Sequence, residues 1–470
     1  MNAPVPADRA AAVAAAVAEL RRAFPPERLL LDPDRLEPYG RDESDLGFFP
    51  PDATVLVESA EEVQAVFAVA SRHRVPVVPV AARSGKSGGS LSLHGGIAVS
   101  VERMSRILEV SPGDLTARVQ PGVITGVLQA EVERHGLFYP PDPNSLDLCT
   151  IGGNVAENAG GPRALKYGVT REYVLGLEVV IPTGEILRVG RRTIKGVAGY
   201  DLTALFVGSE GTLGIVTEVT LKLLPRPRHV ATALVCFPDV RTAAEAVSRV
   251  LAAGVVPRCL ELIDDVSVQA IARGSPFQLP EGAGAALLFE TDGNDEEQVF
   301  AEMARVADMV RGSAAGEVVV AQTEAQRRDV WETRKYLSVA LKKLAAAKLG
   351  EDVAVPRSRI PEMVARSREI GRAHGLLVAT YGHAGDGNLH CNVLFDGERE
   401  RERADAAVAD ILRAAVDLGG TITGEHGVGL AKRDFLAYEQ GEAVVSLERR
   451  LKTLFDPLGI LNPGKMFPET

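Results

Sequence analysis

The chain has 470 residues, 46% hydrophobic and 24% charged, which is material for two to four domains at roughly 100–200 residues each and too apolar for a disordered protein. Its net charge of -11 disfavours a nucleic-acid partner, which would call for a basic footprint, and no apolar run approaches the ~20 residues of a membrane span. Cys149, Cys236, Cys259 and Cys391 form no CxxC pair, so zinc-finger and iron–sulfur spacings are excluded, and scattered single thiols fit a reducing, cytoplasmic location.

In chain order, the alanine-rich run at 10–18 follows Asp8 and continues into Glu19, Leu20, Arg21 and Arg22. Flanking charges of that kind fit an amphipathic helix better than a secretory leader. A Pro-rich acidic stretch completes an N-terminal helical segment, 1–50. Strand and helix patterns then alternate: strand 55–57, helix 61–73, strand 76–80, a Gly-rich turn at 84–90, strands 97–101 and 115–119, helix 125–135, and strands 174–181, 186–189 and 214–223. The two prolines of LLPRPR at 223–228 break regular structure and mark a boundary, giving a domain 51–227. The pattern restarts with strand 231–237, helix 240–253, strands 259–263 and 285–290, and helices at 295–311, 324–341, 360–374 and 401–418. That order predicts an α+β second domain, 228–455, built on an antiparallel sheet. Residues 456–470 form a C-terminal segment.

Residues 79–91 read PVAARSGKSGGSL. Their glycines and hydroxyls suit a backbone anion cradle, although the stretch is neither GxxxxGK[ST] nor GxGxxG and a surface turn explains it equally well. YPPDPNSLDLCTIGGNVAENAGG at 139–161 is dominated at its end by small residues. Such a stretch is expected to let the backbone approach a large flat ligand instead of packing a core. FVGSEGTLGI at 206–215 is similar.

Residues 381–392 read YGHAGDGNLHCN, and Asp386-Gly387 is a two-residue hairpin signal. That turn would pair 383 with 390, setting His383 and His390 directly opposite on one face, Cβ atoms roughly 4.5–5.5 Å apart, with Asn392 on the same face. Two imidazoles so placed suit one divalent metal, or are satisfied structural histidines. GEHGVG at 424–429 adds Glu425 and His426, polar residues among glycines with no packing role there, or a loop that happens to carry one acid and one base.

Together and in order, PPDP, TIGGNVAENAGG, YGV, GSEGTLGIVTEVTLKL and NPGK at 462–465 make the chain resemble, from about 52 to 466, flavoproteins with the vanillyl-alcohol-oxidase type of FAD domain. The similar branch holds the FAD subunit of glycolate oxidase, FAD-dependent D-lactate dehydrogenase and D-2-hydroxyglutarate dehydrogenase. The resemblance implies an α+β protein with a two-subdomain FAD-binding domain at 51–227, a substrate (cap) domain at 228–455 and a C-terminal segment returning to the FAD domain. It implies oxidation of a small D-2-hydroxy acid to the 2-keto acid. The cofactor loop would comprise Pro79, Arg83, Ser84, Gly85, Lys86, Ser87, Gly88, Gly89 and Ser90. Pro141, Asp142, Ser145, Ile151, Gly152, Gly153, Asn154 and Asn158 would follow, with Gly160, Gly161, Tyr167, Glu210, Gly214, Ile215 and Asn462. Where the family reads RGGG, this chain has Val80, Ala81, Ala82 and Arg83, whose side chains would reshape the phosphate pocket and whose arginine would add a cation. No histidine lies in 79–91, so non-covalent FAD is expected, with His94 just outside.

By the same resemblance, His383, His390 and Glu425 are metal ligands for zinc, or for manganese or iron. His426 is the general base, Arg334 in WETR binds the substrate carboxylate, and Lys348 and Asn392 complete the catalytic set. Gly350 occupies the usual lysine position of the D-2-hydroxyglutarate dehydrogenases, and a solvated helix charge is the plain alternative for Arg334 and Lys348. The implied partners are the 2-hydroxy acid and an electron acceptor: quinone, cytochrome, electron-transfer flavoprotein or oxygen. Assembly as a dimer or with an electron-transfer subunit stays open. The competing functions are a catalytically silent FAD subunit of a larger oxidase and a non-redox family member.

Overall fold

The computed structural model describes residues 9–272, 280 and 282–468. The chain divides into two units. The first comprises residues 1–159, 169–226 and 425–470, and the second 160–168 and 227–424. The linker falls at the proline-rich boundary, at 226/227. The C-terminal division falls at 424/425, not at 455/456, and the short segment 160–168 belongs with the second unit.

Two sheets organise the first unit. A four-stranded sheet runs in the order 29–30, 53–56, 97–100, 77–80, with parallel pairing among Ala53–Leu56, Ile97–Ser100 and Val77–Val80. Ile97–Ser100 is buried at all four positions, as expected for a parallel strand covered on both faces. The N-terminal helix Arg9–Ala23 inserts Ala16 and Leu20 into the same core as Val63, Val66 and Phe67 of the helix Ala60–His73, so residues 9–50 are continuous with this unit. The second sheet is antiparallel, in the order 107–111, 116–119, 215–222, 174–180, 186–190. Its strand Ile215–Lys222 alternates buried and half-buried residues, the period-2 signature of a sheet with one face in the core. The strand Ile107–Ser111 was not anticipated.

Two expectations are corrected here. The 151–161 stretch does pack a core. Ile151–Glu157 is a helix capped by Thr150, and Ile151 and Val155 are fully buried. Its small residues serve close packing, since a Cβ on Gly152 would lie 2.5 Å from Pro121 Cβ. The prolines after 223 also fail to abolish pairing, because Leu224–Pro225 bridges Leu137–Phe138.

The second unit is built on a seven-stranded antiparallel sheet, in the order 319–320, 229–237, 285–293, 259–263, 377–383, 388–395, 347–354. The antiparallel α+β expectation holds. Helices Asp265–Ala272 and Glu324–Leu341 cover one face, where Val268, Ile271, Val330 and Leu337 pack on Ile263, Tyr381 and Leu394. Helices Ile360–His374 and Glu398–Asp417 lie against the hairpin strands as well. The plain alternative for Lys348, a solvated helix charge, fails because residues 347–354 form the edge strand Ala347–Ala354.

Candidate functional site

In the first unit, the 79–91 loop leaves the strand Val77–Val80 and turns through Arg83 at φ +59° and Gly88 at φ +80°. A left-handed arginine is costly beside glycine, so the departure from RGGG carries backbone strain. The Arg83 guanidinium lies 4.6 Å from the Tyr39 ring centroid and 3.7 Å from Glu102. Ser87 is buried, and neither its Oγ nor Arg83 Nη1 has a hydrogen-bond partner among the described residues. Lys86 is exposed, and Ser84, Gly85 and Ser90 are half-buried. A Cβ on Gly85 would meet nothing within 4 Å, and one on Gly153 nothing nearer than 3.6 Å. Buried donors with no acceptor, beside glycines facing open room, fit a diphosphate-bearing cofactor.

Other residues expected at the cofactor hold protein to protein. The Pro141 carbonyl accepts from Gln129 at 2.8 Å, and Asn154 Nδ2 donates to Thr125 at 2.7 Å. Asn158 sits at φ +55° and accepts from the Arg171 amide at 2.9 Å. Asp142 and Ser145 are half-buried. Gly214 lies against Val179 and is followed by the buried Ile215. Glu210 accepts from the Val428 and Gly429 amides at 2.7 and 2.6 Å, while Asn462 Nδ2 donates to the carbonyls of Gly89 and Glu210 at 3.1 and 2.9 Å. The glycine loop, the 206–215 turn, the loop after His426 and the C-terminal segment are thereby tied into one backbone assembly. Burial raises the neighbouring Glu157 carboxyl well above its usual range, with repulsion from Glu210 and Asp42 added. A Cβ on Gly89 would come 3.0 Å from Glu157 Oε1, so that elevation keeps a negative charge away from the loop that suits an anion. Gly160, Gly161 and Tyr167 lie in the second unit, where Tyr167 donates to Asp292 at 2.7 Å and Lys166 pairs with the same carboxylate at 2.6 Å.

The second unit holds the side-chain chemistry on one sheet face. The expected direct pairing of His383 with His390 is corrected: His383 lies opposite Asn388, and His390 opposite Tyr381. The turn spans four residues because the Gly387 carbonyl accepts from Val355 N and the Asp386 carboxylate accepts from Asn388 N. The register therefore slips by two. Because a strand alternates faces with period 2, a slip of two leaves both imidazoles on the same side, now as diagonal neighbours with ring centroids 5.4 Å apart. Asn392 shares that face opposite Gly350.

Glu425 is one peptide bond past Gly424, the last residue of the second unit, and the Gly424 amide donates to Asp352 Oδ2 at 2.8 Å. His383 and His390 each offer a ring nitrogen on this face. The His383 Nδ1 is engaged by Glu261, so the ring presents Nε2 as its ligand atom. Two imidazole nitrogens so placed suit a divalent transition metal. His426 Nε2 lies 3.9 Å from Glu425 Oε1.

Arg334 is no solvated helix charge. It is 5% exposed, its guanidinium lies 4.7 Å from the Tyr381 ring centroid, and its Nε donates to Glu261 at 2.8 Å. Nη2 also lies 2.8 Å from Glu261 but has no aligned hydrogen-bond acceptor. Lys348 Nζ donates to Ser338 Oγ and Asn392 Oδ1, both at 3.1 Å. Sequence reasoning missed two residues. Glu261 is fully buried between Leu260 and Leu262 in the strand Cys259–Ile263. Asp352 holds Asn388 and the Thr423–Gly424 turn. The signal was present for Glu261, an acid in the middle of the apolar strand CLELI, and absent for Asp352, whose strand AKLGEDVA is polar. Burial alone would raise the Glu261 carboxyl; its interactions with His383 and Arg334 overcome that and hold it down at about 2.

Comparison with known proteins matches residues 51–190 to an FAD binding domain and residues 226–466 to the C-terminal domain of FAD linked oxidases. The chain is 44% identical to glycolate oxidase subunit GlcD of Bacillus subtilis, over 89% of each chain. It is 36% identical to a D-lactate dehydrogenase of Anaerostipes hadrus, over 94% of this chain and 95% of that one. With a D-2-hydroxyglutarate dehydrogenase of Stutzerimonas stutzeri it shares 34% identity, covering 96% and 99%. A structure of p-cresol methylhydroxylase superposes with a TM-score of 0.81 at 19% identity, covering 97% of each chain, which speaks for a shared fold.

Proposed function

The chain belongs to the FAD-linked oxidases, an oxidoreductase family, and from that membership we propose that it oxidises a small D-2-hydroxy acid to the 2-keto acid with the help of a divalent cation. The reading rests on one observation above all: the His383 and His390 rings share one buried sheet face with centroids 5.4 Å apart, with the buried Arg334 joined to His383 through Glu261; Glu425 is the third ligand of the proposal. When bound, FAD supplies the acceptor for the two electrons of the Cα–H bond, and the cation, zinc or else manganese or iron, supplies Lewis acidity at the hydroxyl.

The residues of the chain divide the remaining work. Arg334 binds the substrate carboxylate. Its Nε edge is committed to Glu261, and its buried Nη2 lacks an aligned acceptor, so the terminal edge of the fork is the one that meets an anion. His426 accepts the hydroxyl proton. Lys348 and Asn392, on one sheet face with His390, border the substrate. The 79–91 loop holds FAD without a covalent bond, since it contains no histidine. The electron acceptor would be a quinone, cytochrome, electron-transfer flavoprotein or oxygen. The Bacillus subtilis relative, a glycolate oxidase subunit, supports a complex with an electron-transfer subunit for this chain too.

The test is an anaerobic panel of glycolate, D-lactate, D-2-hydroxyglutarate and L-lactate, read by bleaching of the flavin. One or more of the first three bleaches it, and chelation stops the reaction. A yellow protein that none of the four reduces would overturn the proposal in favour of a catalytically silent subunit.

A further inference from the structure

A carboxylate with 0% exposure in the middle of a central strand is expensive unless both oxygens are satisfied by charge or hydrogen bonds. Glu261 meets that condition in an uncommon way. Its strand lies between 285–293 and 377–383 in the sheet, and its Cα partner across the ladder is His383 itself. Oε1 takes the His383 Nδ1, and Oε2 takes Arg334 Nε at 2.8 Å with Nη2 at the same distance. Tyr381 closes the group: its ring lies 4.7 Å from the Arg334 guanidinium carbon and 5.6 Å from the His390 ring centroid. One carboxylate therefore touches both a metal-ligand histidine and the arginine assigned to the substrate anion, and touches neither metal nor substrate itself.

We infer that Glu261 is a positioning residue that sets the metal site and the substrate-carboxylate site together, an inference that rests on the metal-assisted reading above. An ionised carboxylate can only accept, so His383 must donate from Nδ1, which leaves the Nε2 lone pair directed to the cation. This is the carboxylate–histidine–metal relay by which an outer residue fixes tautomer and ring orientation. The other oxygen anchors the Nε edge of Arg334 and fixes the plane of its fork. The two functions compete for one side chain. An amide at 261 retains a single acceptor oxygen. If that oxygen serves Arg334, the NH2 faces His383 and forces the opposite tautomer, with Nε2 protonated; if it serves His383, Arg334 loses its anchor.

The experiment compares wild-type holoenzyme with Glu261→Gln and Glu261→Asp, each checked for wild-type FAD content. Zinc affinity is read by competition with a chromogenic chelator, and anaerobic flavin reduction is read against substrate concentration. Outer-residue changes weaken metal binding ~10–100-fold, and loss of a charged hydrogen-bond anchor raises the half-saturating substrate concentration about tenfold or more. Zinc binding selects the amide orientation that serves His383, so Glu261→Gln is expected to bind zinc more weakly and, once loaded, to leave Arg334 without its anchor. Excess zinc then restores the limiting rate but leaves the half-saturating concentration raised, a split that a general loss of packing does not produce. Wild-type zinc affinity with wild-type saturation in Glu261→Gln overturns the inference, as does restoration of both parameters by zinc alone. If the variants lose the fold, 15N-histidine NMR of metal-free wild type decides. Protonation of His383 at Nδ1 supports the inference, and protonation at Nε2 overturns it. Should wild type prove fully active without metal, the functional reading fails, while the zinc-affinity comparison still judges Glu261 on its own.

Discussion

The two units solve their parts of the chemistry with opposite materials. In the first, the groups that face the expected cofactor are backbone amides, serine hydroxyls and glycines, while the larger polar side chains nearby, Asn154, Glu210 and Asn462, are spent on holding loops to one another. In the second, Glu261, Arg334, Asp352, His383, His390 and Asn392 are all buried around one sheet face, so side-chain charge carries the function and the backbone is scaffold. A large anionic cofactor can be cradled by many weak donors from a mobile-free turn. A small hydroxy acid must be oriented by a few strong, fixed charges, which need a sheet to hold them.

The largest test of that contrast is metal removal. Chelation is expected to abolish turnover while the protein keeps its flavin colour; full activity in metal-free protein would break the comparison on its charged side. Next is His426→Ala, expected to slow anaerobic flavin reduction ~100- to 10,000-fold with little change in FAD content. A wild-type rate removes His426 from the reaction. Arg334→Ala should weaken substrate use at least about tenfold, and Arg334→Lys should recover only part of it, because an ammonium cannot reproduce the planar fork. Unchanged kinetics in both would return Arg334 to a purely structural partner of Glu261.

The backbone side is sharpened by two adjacent glycines. A Cβ at 153 makes only ordinary contact, 3.6 Å from Thr150 Oγ1 and 3.7 Å from Ala81 Cβ, whereas one at 152 strikes Pro121. Gly153→Val is therefore expected to cut FAD occupancy with little loss of apoprotein stability, and Gly152→Val to cost the fold about 1–3 kcal/mol, both read from flavin content and thermal melts. Equal behaviour of the pair would mean that the cofactor does not approach this turn.

The smallest expected effect is a pH dependence. Glu261 is held low by its contacts with His383 and Arg334, but Asp264, three residues on, is raised to about 6 by burial, which outweighs the Ser267 and Thr380 hydrogen bonds and the Arg368 charge. With an unfolded value near about 3.9, Asp264 keeps its proton in the native state while the unfolded chain loses it. Stability drawn from this group is therefore complete below about pH 3.9 and falls as pH rises, with the loss complete above about 6. Relative to Asp264→Asn, wild type should lose at most about 3 kcal/mol over that window, measured from paired melts between pH 4 and 6.5. A gap between the two that stays constant with pH would show that Asp264 is ionised throughout.

Much of the molecule was legible in the sequence because its signals are local. Helices Glu324–Leu341 and Ile360–His374 follow from apolar periodicity and caps, and the 226/227 boundary from two prolines. The glycine-rich loops were visible in the composition, although the helix Ile151–Glu157 was hidden by its glycines, and the packing partner of Gly152, Pro121, is remote in sequence. The His383–His390 pairing was read in the wrong register and still on the right face, since face membership depends on residue parity and survives a slip of two. The sequence by itself thus determined which residue types were present and that the two imidazoles share a side. Only the tertiary structure decided what surrounds them. Glu261 stands 122 residues from His383 and 73 from Arg334. The antiparallel ladder that makes it their common partner is chosen by strand order in the sheet, which no local pattern encodes.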